Sequence, residues 1–200
     1  MSSVLTAKVK IRGMRPIMWH RFGPESLPLE KQERSGVAGN DPTEWQRSVE
    51  CTKDGQLYIR GDQVFSCLRN AARHTKKGRG SIQPLIAATL QELDDRIPLD
   101  RFIPGWDGGP PDTLTTDSDA PVYLDIRSVR NPSTKGRNVR YRVAASSDWH
   151  CEFELLWDAT IGSRGQMEAV CIDAGKLEGL GNGRSLGLGR FDVQAFEVMG

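Results

Sequence analysis

An α+β fold is what this sequence predicts, and three patterns predict it. Apolar residues alternate with period two in several short runs, two longer stretches carry apolar residues at helical spacing, and Gly, Pro and Asn separate them.

Leu5, Ala7, Val9 and Ile11 alternate with Thr6, Lys8 and Lys10, which reads as a half-buried strand closed by Gly13. From Pro16 to about Glu50 the pattern dissolves into Pro, Gly and mixed charge, so residues 16–50 read as an insertion. Asp54-Gly55 turns the chain into a short strand over 57–59, an extra piece beside the main plan. Asp62 is placed to cap the helix that follows, whose buried stripe is Val64, Leu68, Ala71, Ala72 and Thr75. Arg69, Arg73, Lys76 and Lys77 form a second, basic stripe on the same helix, and Gly78 and Gly80 end it. Residues 94–121 carry many Asp, Pro and Gly and read as a second insertion.

Two strand-like runs, 122–129 and 139–143, then flank residues 131–137 and predict a β-hairpin. The next strand sets Trp149, Cys151, Phe153 and Leu155 on one face and His150, Glu152 and Glu154 on the other. A second helix starts at about Ser163, with Met167, Val170, Cys171, Ala174 and Leu177 on one side. A glycine-rich loop leads to the last strand, 190–198. Strand, helix, strand, strand, helix, strand is the βαββαβ plan of a ferredoxin-like (RRM-like) fold, an antiparallel sheet with two helices on one face. The expectation is one domain over 1–200, with two insertions and a basic hairpin projecting at about 122–143.

The composition is that of a foldable chain: 200 residues, 38% hydrophobic and 26% charged, with a net charge of +1. Such a balance excludes no class of partner, so the placement of charge has to decide. Cys51, Cys67, Cys151 and Cys171 are widely spaced, with no C-x2-C pair to signal zinc or a redox motif. Two of them, Cys151 and Cys171, fall at apolar positions and read as buried thiols. No signal-peptide pattern and no run of about 18 apolar residues is visible, so the expectation is a cytoplasmic protein with no membrane contact. No cofactor and no metal site is expected.

The stretch 179–189 is the least ordinary in the chain, with five glycines in eleven residues: Gly179, Gly181, Gly183, Gly187 and Gly189. Turn-making alone does not call for so many. Glycine at this density lets backbone N–H groups face a concavity and lets a phosphate approach without a Cβ in the way. Arg184 at the tip and Arg190 just beyond it add charge. The loop lacks the Gly-Lys-Ser/Thr ending of a Walker loop. It also runs from helix to strand, the reverse of a dinucleotide-binding fingerprint.

The spacing Gly179-Leu180-Gly181, five residues, Gly187-Leu188-Gly189, between the last helix and the last strand, resembles the glycine-rich loop of the repeat-associated mysterious protein (RAMP) superfamily of CRISPR systems. The stretch Tyr58 to Arg73, with Leu68-Arg69 and Ala71-Ala72-Arg73, is similar to the strand-to-helix segment of that superfamily, although Arg60-Gly61-Asp62 stands where a Pro-Gly-Ser-Ser type of turn is usual. The resemblance implies a ferredoxin-like domain of the single-domain, backbone-subunit type, binding RNA within a CRISPR-associated complex. In such subunits an inserted hairpin acts as a thumb across the guide RNA, and the hairpin here looks similar.

That hairpin carries Arg127, Arg130, Lys135, Arg137, Arg140 and Arg142. Alternation predicts Val139, Tyr141 and Val143 facing the protein and Arg140 and Arg142 facing away, a surface suited to sequence-independent phosphate contacts. Arg69 and Arg73 join this set from the helix. The polar sheet face shows Lys8, Lys10, His150, Glu152 and Glu154 but no aromatic platform for base stacking. Backbone gripping of single-stranded RNA or DNA is therefore the expected activity. The partners would be the nucleic acid and either further copies of the chain or other subunits of a nucleoprotein complex.

Three alternatives stand beside it. A metal-free RNA-processing endoribonuclease of the same superfamily would use His20, within 16–22, as its general acid or base, helped by Arg21 or Tyr58. Metal-dependent cleavage would draw on Asp41, Asp94, Asp95 or Asp107. An assembly protein without nucleic acid would use Trp45, Trp106 and the insertions as interface elements.

Overall fold

The computed structural model describes residues 3–21, 41–130 and 135–199. It is an α+β arrangement in which every named strand pairing is antiparallel. The main sheet is built around the first strand, β1 (Val4–Gly13), whose Ala7, Val9 and Ile11 are buried as their alternation predicts. Its neighbours are the last strand, β11 (Phe191–Met199), and β10 (His150–Asp158), with the two-residue β6 (Gln91–Glu92) completing the order β11-β1-β10-β6. Trp149, Cys151, Phe153, Leu155 and Trp157 all enter the core from β10 and the residue before it. Each such buried apolar side chain contributes roughly 1.5–3 kcal/mol relative to exposure.

Two helices supply the other half of that core. Helix α2 (Gly61–Ala71) buries Val64, Cys67, Leu68 and Ala71. Helix α4 (Arg164–Asp173) buries Met167, Val170 and Cys171, and Ser163 starts it with a full capping box shared with Gln166. Asp62 does not cap α2: the N-cap is Arg60, and Asp62 instead pairs with its guanidinium at 3.1 Å. The helix opens on Gly61 because a Cβ there would lie 1.9 Å from Glu92 Oε2.

The basic stripe expected on α2 is broken, since the helix ends at Ala71 and β4 (Lys76–Lys77) pairs instead with β5 (Gly80–Ser81) in a small hairpin, followed by the short helix α3 (Gln83–Thr89). Leu177 does not belong to the buried side of the second helix. There α4 gives way to a π-helical turn, Ala174–Glu178, which rotates Leu177 outward to 45% exposure.

Four further expectations are corrected. Residues 94–121 are not wholly loop, because β7 (Arg96–Phe102) pairs with β3 (Gln56–Arg60), so the 57–59 strand has a partner. Residues 16–50 hold β2 (Ile17–Met18) and α1 (Glu44–Ser48), while 22–40 lie outside the described residues. The hairpin β8 (Val122–Arg130) and β9 (Arg137–Ala145) does not enter the main sheet; it forms a separate one, in the order β2-β9-β8. One face of this smaller sheet, with Ile17, Val122, Leu124, Val143 and Ala145, joins the main core. Three of the four cysteines are buried rather than two, and burial pushes the thiols of Cys51 and Cys67 up to about 11 and about 12. Among the described residues no helix is long and apolar enough to cross a membrane.

Candidate nucleic-acid interface

The glycine loop is rooted in α2: the Cys67 thiol lies 3.2 Å from the Gly179 carbonyl, which it can bond as a weak donor. From there the two Gly-Leu-Gly arms come side by side, and Leu180 N–H donates to Gly189 O at 2.9 Å. The loop is also laid against the chain leaving β1. Gly189 N–H donates to Pro16 O at 2.8 Å, and Asn182 N–H to Met18 O at 2.8 Å.

These approaches explain the glycines better than an approaching phosphate does, which corrects the reason first given for them. A Cβ on Gly189 would sit 1.8 Å from Leu180 O, and one on Gly181 would sit 2.7 Å from Met18 O. Both also have positive φ, which a side chain tolerates poorly. Gly187 alone of the five has open space around it, although its φ is +76°.

Most loop amides are therefore spent internally. At the crown, the N–H groups of Gly183, Arg184 and Ser185 take no partner among the described residues. They border an open cleft of about 540 Å³ lined also by Asn70, Glu178 and Arg190. Arg190 brings a buried Nη1 without a hydrogen-bond partner to this cleft. The loop thus retains a small set of donors rather than a continuous row.

Of the basic residues predicted from α2, Arg69 is exposed and stacks its guanidinium 5.9 Å from the Phe65 ring centroid. Arg73 pairs with Glu178 at 2.6 Å, at the rim of the same cleft. A single exposed pair of this kind is worth little to stability but does occupy the arginine.

The hairpin differs from its expectation on one strand. Arg140 and Arg142 do not simply face away: Arg142 is only 8% exposed, and Arg140 bonds Glu44 of α1 at 2.5 Å. Glu44 sits at the edge of β9 beyond the point where β2 stops, and also accepts from the Tyr141 N–H at 3.4 Å. On the neighbouring strand Arg127 Nε reaches both oxygens of the buried Asp125 at 2.8 Å. Arg130, Lys135 and Arg137 are exposed towards the tip, whose residues 131–134 lie outside the described ones.

Loop and hairpin are joined. Register places Met18 beside Ala144 and Ala144 beside Tyr123, and all three pack with Leu188 of the loop in one buried cluster. Asn182 bridges Met18 on the other side, so the loop extends the edge of the hairpin sheet. No sequence signal marked this connection, because Met18 and Tyr123 look like ordinary core residues until their register is known.

His20 follows on the same side of the sheet. Burial and the nearby Arg142 hold its imidazole below its ordinary value, partly offset by Glu44. Its Nδ1 is buried without a partner. The loop aspartates weighed for metal-dependent cleavage include two with structural roles. Asp94 accepts from Glu154 N–H at 2.9 Å, and Asp41 holds Thr43 and Arg47.

No protein-family model and no curated protein matches this chain. Among solved structures it is similar to a chain of the cryo-EM structure of the Type III-B Cmr-beta bound to cognate target RNA, with a TM-score of 0.53 and 11% identity. The match covers 98% of this chain but 61% of that one, so the protein spans about three-fifths of its neighbour's length. At that identity the likeness is one of fold.

Proposed function

We propose that the protein grips the backbone of single-stranded RNA as a subunit of a CRISPR-associated ribonucleoprotein complex of the RAMP kind. The observation that carries this reading is the continuity of the glycine loop with the basic hairpin through Met18, Tyr123, Ala144 and Leu188. A strand of RNA following this edge meets the crown amides and Arg190 at one end and Arg130, Lys135 and Arg137 at the other. Phosphate contacts of this sort position a backbone without reading bases. The sheet order supports a ferredoxin-like description of the fold: counted along the chain, β11-β1-β10-β6 is the 4-1-3-2 order of a βαββαβ sheet with β6 as its second strand. The likeness to a chain from an RNA-bound assembly points the same way.

The test is fluorescence anisotropy with labelled single-stranded RNA and DNA across a salt series. Binding is expected with a log–log salt slope of about −2 to −4, as for three to six phosphates at about 0.7 each. Replacing Arg130 and Lys135 together by Gln makes that slope shallower by about 1.4. Absence of binding at low salt overturns the reading in favour of an assembly protein. RNA cleavage that disappears in His20→Ala replaces it with the endoribonuclease.

A further inference from the structure

We propose that His20 and Arg142 form a pocket for a single phosphate group, separate from the glycine-loop cleft. It deepens the RNA-binding reading, on which it rests for the source of that phosphate.

The pocket follows from register. Met18 pairs with Ala144. Two residues further, on the same face, His20 comes beside Arg142, and Arg142 is itself the cross-strand partner of Asp125. The next pair on that face is Arg140 with Arg127. Three arginines and two carboxylates therefore gather around His20, and the carboxylates are already committed. Asp125 is held by Arg127, and Glu44 by Arg140 and the Tyr141 N–H. Arg142 is the cation left over.

Arg142 is more than nine-tenths buried, and among the described residues its Nε has no hydrogen-bond partner. A buried guanidinium N–H without a partner is costly, because it has lost its water without a hydrogen bond in exchange. Beside it His20 Nδ1 is also buried and unpartnered. Two orphaned nitrogens side by side, with one surplus positive charge, suit a tetrahedral anion that offers several acceptor oxygens. A neutral ligand would leave the charge uncompensated.

The groups facing His20 are Arg142 and Arg140 from β9 and Glu44 from α1, with Asp125 and Arg127 of β8 behind them. Without an anion there, burial and then Arg142 hold the imidazole below its ordinary value, against the smaller opposing effect of Glu44. A phosphate beside Arg142 reverses that balance, so His20 takes up a proton as the anion enters. Binding then strengthens as pH falls, because the bound state holds the proton more tightly than the free state.

The full-length protein tests this by NMR of its imidazole nitrogens, titrated first with inorganic phosphate and then with single-stranded RNA. The expected result is that the His20 titration midpoint moves upward with either probe, while His150 serves as the reference. In Arg142→Gln the His20 response to phosphate is lost. His20→Gln, a less buried change that keeps Arg142, covers the case in which Arg142→Gln fails to fold. RNA affinity should rise about threefold to tenfold between pH 7.5 and 5.5 in the native protein, the upper figure matching one pKa unit, and by less than about twofold in His20→Gln. A His20 midpoint that moves with phosphate supports the pocket even if RNA does not bind, and then only the RNA reading fails. RNA that binds while His20 stays unmoved overturns the pocket and leaves the RNA reading standing.

Discussion

The glycine loop and the basic hairpin are both conspicuous in composition, and the structure uses them in opposite ways. In the loop, backbone amides are given up to close the loop on itself and on Pro16 and Met18. In the hairpin, arginines give up charge to buried carboxylates, Arg127 to Asp125 and Arg140 to Glu44. What is left for a ligand is small in each: three crown amides and Arg190 in one, the tip cations and Arg142 in the other. Density of a residue type in sequence is therefore a poor count of available donors. Availability is decided by which partners the fold has already supplied.

The sharpest break of this contrast is Gly189→Ala. The new Cβ would meet the Leu180 carbonyl at 1.8 Å from a backbone with φ +68°, so the two arms must separate. We expect a loss of at least about 3 kcal/mol in denaturant unfolding, with RNA binding lost alongside. Glu44→Gln probes the hairpin instead. It leaves Arg140 without its charged partner, which costs about 1 kcal/mol for so partly exposed a pair. It also frees Arg140, so RNA affinity rises and the salt slope steepens by about 0.7.

Gly187→Ala is the matched control within the loop. Nothing lies within 4 Å of its added Cβ, so only the left-handed backbone is penalised, by about 1 kcal/mol, and RNA binding persists. Should Gly187→Ala cost as much as Gly189→Ala, close backbone approach is not what the glycines are for.

The smallest effect is a pH dependence confined to the hairpin side. His20 is held below its ordinary value of 6.5 in the folded protein, so the unfolded chain binds more protons in the window just beneath it. The His20 contribution to stability therefore falls as pH drops below about 6.5, and it is read as the difference between the native protein and His20→Gln when thermal unfolding is followed from pH 7.5 to 5, because Glu92, pushed up to about 7 by burial, acts in the opposite sense in both. Inorganic phosphate should reduce the same difference.

Much of the frame was legible before any coordinates. The alternation of Ala7, Val9 and Ile11, and of Trp149 to Leu155, named the two central strands of the main sheet, because burial on one face leaves period two as a direct imprint. The Ser163 cap and the apolar spacing of Met167, Val170 and Cys171 named α4 for the same kind of reason. Strand β7 was missed because its buried apolar residues, Ile97 and Leu99, are only two and sit among Asp, Arg and Pro. The continuation of α2 to Lys77 was over-read, since a basic stripe at helical spacing does not by itself hold a helix together.

The sequence by itself determined the two central strands of the main sheet, the hairpin, the starts of the two long helices and where glycine and arginine would concentrate, since these follow from local periodicity and backbone freedom. Only the tertiary structure decided that the hairpin forms its own sheet, that Met18 and Tyr123 bind it to the glycine loop, and that Asp125 and Glu44 satisfy two arginines while Arg142 is left alone. Such pairings depend on register between segments roughly a hundred residues apart or more, such as Glu44 and Arg140 or Met18 and Ala144. No local pattern encodes that register, because a one-residue slip exchanges every buried side chain for an exposed one.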